Sequence, residues 1–87
     1  VSTPEIKIPL AENQKDTVMA HVTQAAKALH GKLTLLDGVR VDFTHGFGLI
    51  RASKTTAHLT LRFEATDENG LQQIKQCMLA LLPTSLQ

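Results

Sequence analysis

The stretch from Gly46 to Ala65, GFGLIRASKTTAHLTLRFEA, carries the clearest local pattern in this chain of 87 residues. Its first part is apolar from Phe47 to Ile50 and ends at a cation, Arg51. From position 58 onward, polar residues alternate strictly with large apolar ones, namely Leu59, Leu61 and Phe63. Alternation with a period of two is typical of a strand with one buried face. The stretch therefore predicts two strands joined by a polar loop.

The predicted loop runs from Ala52 to Ala57 and contains the polar side chains of Ser53, Lys54, Thr55 and Thr56. An arginine at a strand end, followed by hydroxyls and turn amides, can surround a small oxyanion with hydrogen-bond donors. Serine, threonine and lysine are also common in turns that bind nothing. The local chemistry leaves both interpretations open.

Composition limits the classes of function. Nine Lys and Arg residues oppose eight Asp and Glu, the signs are interspersed, and the aromatic residues are three Phe. This pattern gives no support to a nucleic-acid or membrane-surface role, and no apolar run approaches the roughly 18 residues of a membrane span. The single cysteine, Cys77, lies in a helical apolar pattern. It predicts a reduced, packed thiol and indicates the cytoplasm.

The segment before the first helix is short. Val1 to Pro4 is interpreted as the end of a linker, and the initial valine as the start of an excised domain. Glu5 to Ile8 alternates briefly and predicts an edge strand that Pro9 ends.

Apolar residues at three- and four-residue spacing predict a first helix, with the stripe Val18, Met19, Val22, Ala25, Ala26 and Leu29. Asn13 is the predicted N-cap, because its side-chain oxygen can accept from a free amide of the first turn. His30-Gly31 is the predicted end, with Gly31 in the left-handed conformation.

A hairpin is predicted between residues 33–36 and Val39–Phe43, because the intervening Asp37-Gly38 suits a turn with positive φ. Together with the stretch from Gly46 to Ala65, it forms a predicted meander of about four antiparallel strands.

A second helix is predicted after Thr66-Asp67, which can cap it, and Pro83 is expected to close it. Its apolar stripe consists of Leu71, Ile74, Met78 and Leu81. The predicted fold is therefore a two-layer α+β domain: an antiparallel sheet of about four strands plus a possible edge strand, with both helices on one face.

The chain offers no self-sufficient active site. The histidines lie in different predicted elements, and one cysteine cannot complete a zinc site; they are His21, His30, His45 and His58. Cys77 has no neighbouring cation to activate its thiol. We therefore predict no catalytic residue, no metal site and no cofactor within these 87 residues.

Three segments resemble a known family: DGVRVDF at 37–43, GFGLIRASKTT at 46–56, and LTLRFEA at 59–65. They are similar to the C-terminal domain of the α-D-phosphohexomutases, in particular the bacterial phosphomannomutase/phosphoglucomutase type. The resemblance extends along the chain from about Ser2. It implies a fold like that of the TATA-box-binding protein, and it implies that residues 1–87 form a single domain at the end of a longer enzyme.

The family's phosphate loop, Arg-x-Ser-Asn-Thr or Arg-x-Ser-Gly-Thr, aligns with Arg51, Ala52, Ser53, Lys54 and Thr55. Lys54 stands where the family has Asn or Gly. By resemblance, these residues bind the sugar phosphate that is not being transferred, and the domain closes over the cleft. The sequence does not distinguish mannose from glucose.

The resemblance implies that the whole enzyme interconverts hexose 1-phosphate and hexose 6-phosphate through a bisphosphorylated intermediate. A phosphoserine and Mg²⁺ would belong to preceding domains, so the partners expected here are hexose phosphates and those domains. The chain alone is not expected to be active. The alternative is a freestanding regulatory α+β module that binds a small anion or another protein.

Overall fold

The computed structural model describes residues 1–36, 38–53 and 56–86. Two short 3-10 turns, Glu12–Gln14 and Thr84–Leu86, accompany the main elements. In chain order the strands and helices are β1 (Ile6–Pro9), α1 (Lys15–Ala26), β2 (Lys32–Thr34), β3 (Val39–Phe43), β4 (Gly46–Ala52), β5 (His58–Ala65) and α2 (Glu68–Leu79).

The strands form one antiparallel sheet in the order β1-β5-β4-β3-β2. The predicted meander is present as β2 to β5, and the predicted edge strand is β1, which pairs with β5. The alternating residues of β5 place Leu59, Leu61 and Phe63 on the buried face. The two-layer α+β fold is confirmed.

Both helices pack on that buried face, α1 against β3 and β4, and α2 against β4 and β5. Burial of a large aliphatic or aromatic side chain contributes about 1.5–3 kcal/mol, so this layer is the main source of stability. The largest fully buried side chains are Phe63, Ile50, Leu59, Leu61, Met78, Leu82, Val22, Val39 and Val41. The opposite face of the sheet, called here the open face, carries mostly polar residues.

The first helix differs from its prediction at both ends. It begins at Lys15, and Asn13 lies within the preceding 3-10 turn, where no side-chain hydrogen bond caps the helix. It ends at Ala26, before His30-Gly31. Gly31 is not left-handed, since the described residues with positive φ are Gly38 and Gly46. A Cβ at Gly31 would lie 2.8 Å from the carbonyl oxygen of Asp42, so the position requires a small residue for close packing.

The hairpin between β2 and β3 is present, but β2 is shorter than predicted. Pairing stops where Thr34 faces Arg40, and Leu35 and Leu36 lie outside the strand. Leu36 is 94% exposed, so it lies outside the core. Gly38 has a φ of +108°, as the turn prediction requires, while Asp37 lies outside the described residues.

The first residues pair with the sheet instead of forming a linker. The amino and carbonyl groups of Val1 each bond to Ala65 at 2.9 Å, and the Thr3 amide donates to the Phe63 carbonyl at 3.0 Å. A free strand edge leaves backbone groups unpaired. The edge of β5 therefore continues to pair beyond β1.

The second helix agrees with its prediction more closely. Asp67 is its N-cap, and its Oδ1 accepts from the Gly70 amide at 2.7 Å. The predicted stripe is buried throughout, although the helix ends at Leu79, four residues before Pro83.

Candidate functional site

The loop between β4 and β5 forms the centre of the candidate site. Strand β4 continues one residue past Arg51 to Ala52, and β5 begins at His58. The described ends of the loop are held by backbone bonds: the Ser53 amide donates to the His58 carbonyl at 3.1 Å, and the His58 amide donates to the Thr56 carbonyl at 3.0 Å. Lys54 and Thr55, two of the predicted site residues, lie outside the described residues.

Arg51 is on the open face, because Ile50 and Ala52 on either side of it face the helices. Its side chain is exposed, and its cross-strand neighbour is Thr60. Gly38 packs against the base of Arg51, where an added Cβ would lie 2.6 Å from both the Arg51 Cβ and the Ile50 carbonyl oxygen. The hairpin turn therefore approaches the site only because residue 38 has no side chain.

Ala52 differs from the other predicted residues, because its side chain packs partly buried against the core. What Ala52 can offer a ligand is its backbone. The predicted set therefore contains two described polar side chains, Arg51 and Ser53, on either side of a packing residue.

A chain of three side-chain groups runs through the loop into β5. Ser53 Oγ and Thr56 Oγ1 are 2.8 Å apart, and Thr56 Oγ1 is 2.7 Å from His58 Nδ1. The Thr56 amide also donates to Ser53 Oγ at 3.3 Å. Since a hydroxyl can donate and accept, the direction of the chain depends on the His58 tautomer.

Sequence analysis included Thr56 among the polar residues of the loop, but the site residues taken from the family pattern ended at Thr55 and did not include His58. It treated His58 as one of four separate histidines. The alternation of β5 placed His58 on the open face, but no signal in the sequence indicated its bond to Thr56.

An open cavity of about 750 Å³ borders these residues, within the range of about 300–1,000 Å³ found for small-molecule pockets. Its walls include Arg51, Ser53, Thr56 and His58 from the loop region, and Thr60 and Lys7 from the sheet. Lys7, Thr60 and Arg51 are direct cross-strand neighbours on β1, β5 and β4. The structure therefore adds a second cation, Lys7, to the residues that the sequence had indicated.

Another cation of the open face is engaged elsewhere. Arg40 bonds to Asp42 at 3.0 Å and lies 4.0 Å from the centre of the Phe47 ring. The hydrogen bond from Arg40 lowers the pKa of Asp42, and the same bond raises the pKa of Arg40. These contacts hold the Arg40 charge near Phe47 at the start of β4, whereas Arg51 is near the end of that strand.

A smaller depression of about 350 Å³ lies near α2 and includes His30, His45 and Cys77 in its walls. Within the described ranges, no group of three or more His, Cys, Asp or Glu side chains could hold a metal ion. Cys77 is a free and partly buried thiol. In the same ranges, no helix has the length and apolar character needed to cross a membrane.

The fold and site define a class of protein. It is a small α+β domain in which the loop between β4 and β5 carries an arginine and hydroxyl groups at the mouth of an open cavity. The family described as "Phosphoglucomutase/phosphomannomutase, C-terminal domain" matches residues 5–81. The chain belongs to this family, and the resemblance seen in its sequence is confirmed.

Known relatives agree with this assignment. A phosphomannomutase/phosphoglucomutase of Pseudomonas aeruginosa is 48% identical over 75 residues, which cover 86% of this chain and 16% of that protein. A phosphoglucomutase of Neisseria meningitidis serogroup B is 36% identical over 87 residues, covering 98% of this chain and 19% of that protein.

A crystal structure of a phosphoglucomutase/phosphomannomutase family protein from Burkholderia thailandensis superposes with a TM-score of 0.79 at 33% identity. The match covers 93% of this chain and 17% of that one. The chain thus spans less than a fifth of each of these relatives.

Proposed function

We propose that this chain is the C-terminal domain of a longer phosphohexomutase, and that the loop from Arg51 to Thr55 binds the phosphate that is not being transferred. The observation that carries the proposal is the convergence of Arg51, Ser53 and Thr56 on one polar cavity. The names of the relatives, phosphomannomutase and phosphoglucomutase, support hexose phosphates as the ligands.

The chemistry of the described groups suits a phosphate monoester. Arg51 presents a planar fork of donors that matches phosphate oxygens, and hydrogen bonds between charged partners are stronger than neutral ones. Ser53 can add a hydroxyl donor, and Lys7 can add positive charge across Thr60.

Under this proposal the domain positions the substrate and contributes no reacting group. A contact to the phosphate that stays in place is made in the ground state and the transition state alike, so it acts through binding. The phosphoserine and Mg²⁺ that the family resemblance implies would belong to preceding domains. The chain would then close one side of a cleft whose other side those domains provide.

We also propose a cytoplasmic location. The reason is that free thiols such as that of Cys77 persist in reducing compartments.

The proposal is tested by titrating the chain with glucose 1-phosphate and mannose 1-phosphate while backbone amide shifts are followed by NMR. We expect fast exchange at about millimolar affinity, equivalent to about 4 kcal/mol, because a single open loop leaves the ligand partly in water. The shifts should centre on Arg51–Ser53 and Thr56–Thr60. Sodium chloride at matched ionic strength is the control.

Shifts centred on the helices, or none at ligand concentrations on the order of tens of millimolar, would contradict the proposed site. Micromolar binding would contradict the requirement for preceding domains.

A further inference from the structure

Lys15 is an unusual residue for the first turn of α1. Among the described residues, the buried polar ones are Lys15 and Thr60, with Lys15 9% exposed. It lies at positions i, i+3 and i+7 with Val18 and Val22, so it occupies the buried stripe of its helix. Sequence analysis began that stripe at Val18 and did not include Lys15.

The ammonium group of Lys15 has two hydrogen-bond partners. Its Nζ donates to the Ser53 carbonyl oxygen at 2.7 Å, across 38 residues of chain, and to Glu12 Oε1 at 3.2 Å. The second Glu12 oxygen is 3.1 Å from Nζ, but the Glu12 side chain is 75% exposed. Exposed ion pairs contribute little, so the bond to Ser53 is the stronger tie.

Burying a lysine carries a desolvation cost that an apolar residue of similar length would avoid. What the lysine adds at this position is a fixed hydrogen bond to the loop. A peptide group is planar, so fixing its carbonyl oxygen also fixes the plane of the group. Lys15 therefore sets the orientation of the backbone at the point where the loop leaves Ser53.

The other polar atoms of Ser53 are also bonded. Its amide donates to the His58 carbonyl, and its hydroxyl pairs with Thr56. The bond from Lys15 connects these loop residues to α1, which packs on the buried face of the sheet.

We infer that Lys15 is a positioning residue of the phosphate loop: it holds the loop in the orientation that binds phosphate and does not itself contact the ligand. The inference rests on the proposed function. It assigns a positioning role to the start of α1, to which neither the loop pattern nor the relatives' names point.

The test compares the wild-type chain with Lys15→Met, which fills the same space without a donor. Titration with inorganic phosphate should show about three- to tenfold weaker binding for Lys15→Met, the range expected for one lost net hydrogen bond. The Ser53 carbonyl carbon should shift in the unliganded variant, because it loses its donor. The melting temperature should change little, because the desolvation cost of the ammonium group is removed while the Ser53 carbonyl loses its donor.

Two further variants make the result specific. Lys15→Arg keeps the charge and the donors, and it should recover phosphate affinity to within about twofold. Glu12→Gln removes the exposed ion pair and leaves the bond to Ser53, so its affinity should not fall. If Lys15→Met does not fold, Lys15→Leu, which also lacks a donor, is measured in the same way.

Wild-type affinity in Lys15→Met, or an unchanged Ser53 carbonyl shift, would overturn the inference and leave the proposed function standing. Absence of phosphate binding by the wild-type chain would overturn the proposed function, and the inference with it. A fall in affinity matched by loss of folding in all Lys15 variants would assign the lysine a structural role instead.

Discussion

At the scale of single residues, Arg51 and Ser53 play different parts in the candidate site. Arg51 is exposed on the open face, and its position follows from the alternation of β4. Ser53 is bonded through its amide, its hydroxyl and its carbonyl to three different residues, His58, Thr56 and Lys15. Arg51 is therefore suited to contact a ligand, whereas Ser53 fixes the loop in addition to offering its hydroxyl.

We predict that Arg51→Ala in the longer enzyme lowers kcat/KM by about one to two orders of magnitude. A lost charge-assisted hydrogen bond costs about 1.5–3 kcal/mol, and this one should act in ground and transition states alike. The measurement is steady-state kinetics with the hexose 1-phosphate.

Lys32→Ala is the matched control for Arg51→Ala, because Lys32 is an exposed cation on the edge strand β2, two strands away from β4. It should leave kcat/KM within about threefold, since exposed charges at that distance are largely screened. An unchanged value for Arg51→Ala would remove Arg51 from the site.

At the scale of elements, the two helices begin in different ways. The first turn of α2 has a side-chain cap from Asp67, whereas α1 follows directly from a 3-10 turn without one. The 3-10 turn directly precedes α1, where a capping residue would otherwise stand. Asn13 lies within this turn and is exposed. The two helix starts therefore differ in how much a single capping side chain contributes to the stability of the fold.

We predict that Asp67→Ala lowers the free energy of unfolding by about 1 kcal/mol, the usual cost of removing an N-cap. Asn13→Ala should change it by less than about 0.5 kcal/mol, as for most surface substitutions. Urea denaturation of the chain measures both values. Equal losses in the two variants would mean that Asn13 caps α1 in solution.

At the scale of the whole molecule, the candidate site has protein on one side only. The helices cover the other face of the sheet, and the cavity opens on the face that carries Arg51 and Lys7. Leu36, which borders the cavity, is 94% exposed, so this part of the cavity rim is open to solvent. A phosphate bound here keeps much of its contact with water, which limits affinity and permits screening by salt.

We predict that phosphate binding by the isolated chain weakens as salt is raised from about 0.01 M to about 1 M, because the screening length falls from about 30 Å to about 3 Å. The titration is repeated by NMR at each salt concentration, with a sodium salt whose anion is monovalent. Folding is checked in parallel by the melting temperature. Affinity independent of salt would indicate an enclosed site, which this arrangement does not provide.

The sequence by itself determined the elements and the class of the fold. The alternation around Leu59, Leu61 and Phe63 predicted β5, and the spacing of Leu71, Ile74 and Met78 predicted α2. These signals are local, since strand and helix periods repeat every two and 3.6 residues. Through its resemblance to a known family, the sequence also indicated Arg51 and Ser53 as site residues.

The tertiary structure decided what depends on residues far apart in the chain. It moved the N-cap of α1 from Asn13 to Gln14, and it packed Gly31 so closely against Asp42 that only a small residue fits. It also aligned Lys7 with Thr60 and Arg51, and joined Lys15 to Ser53. Strand register and helix-to-loop contacts follow from packing across the whole core, so no window of neighbouring residues contains them.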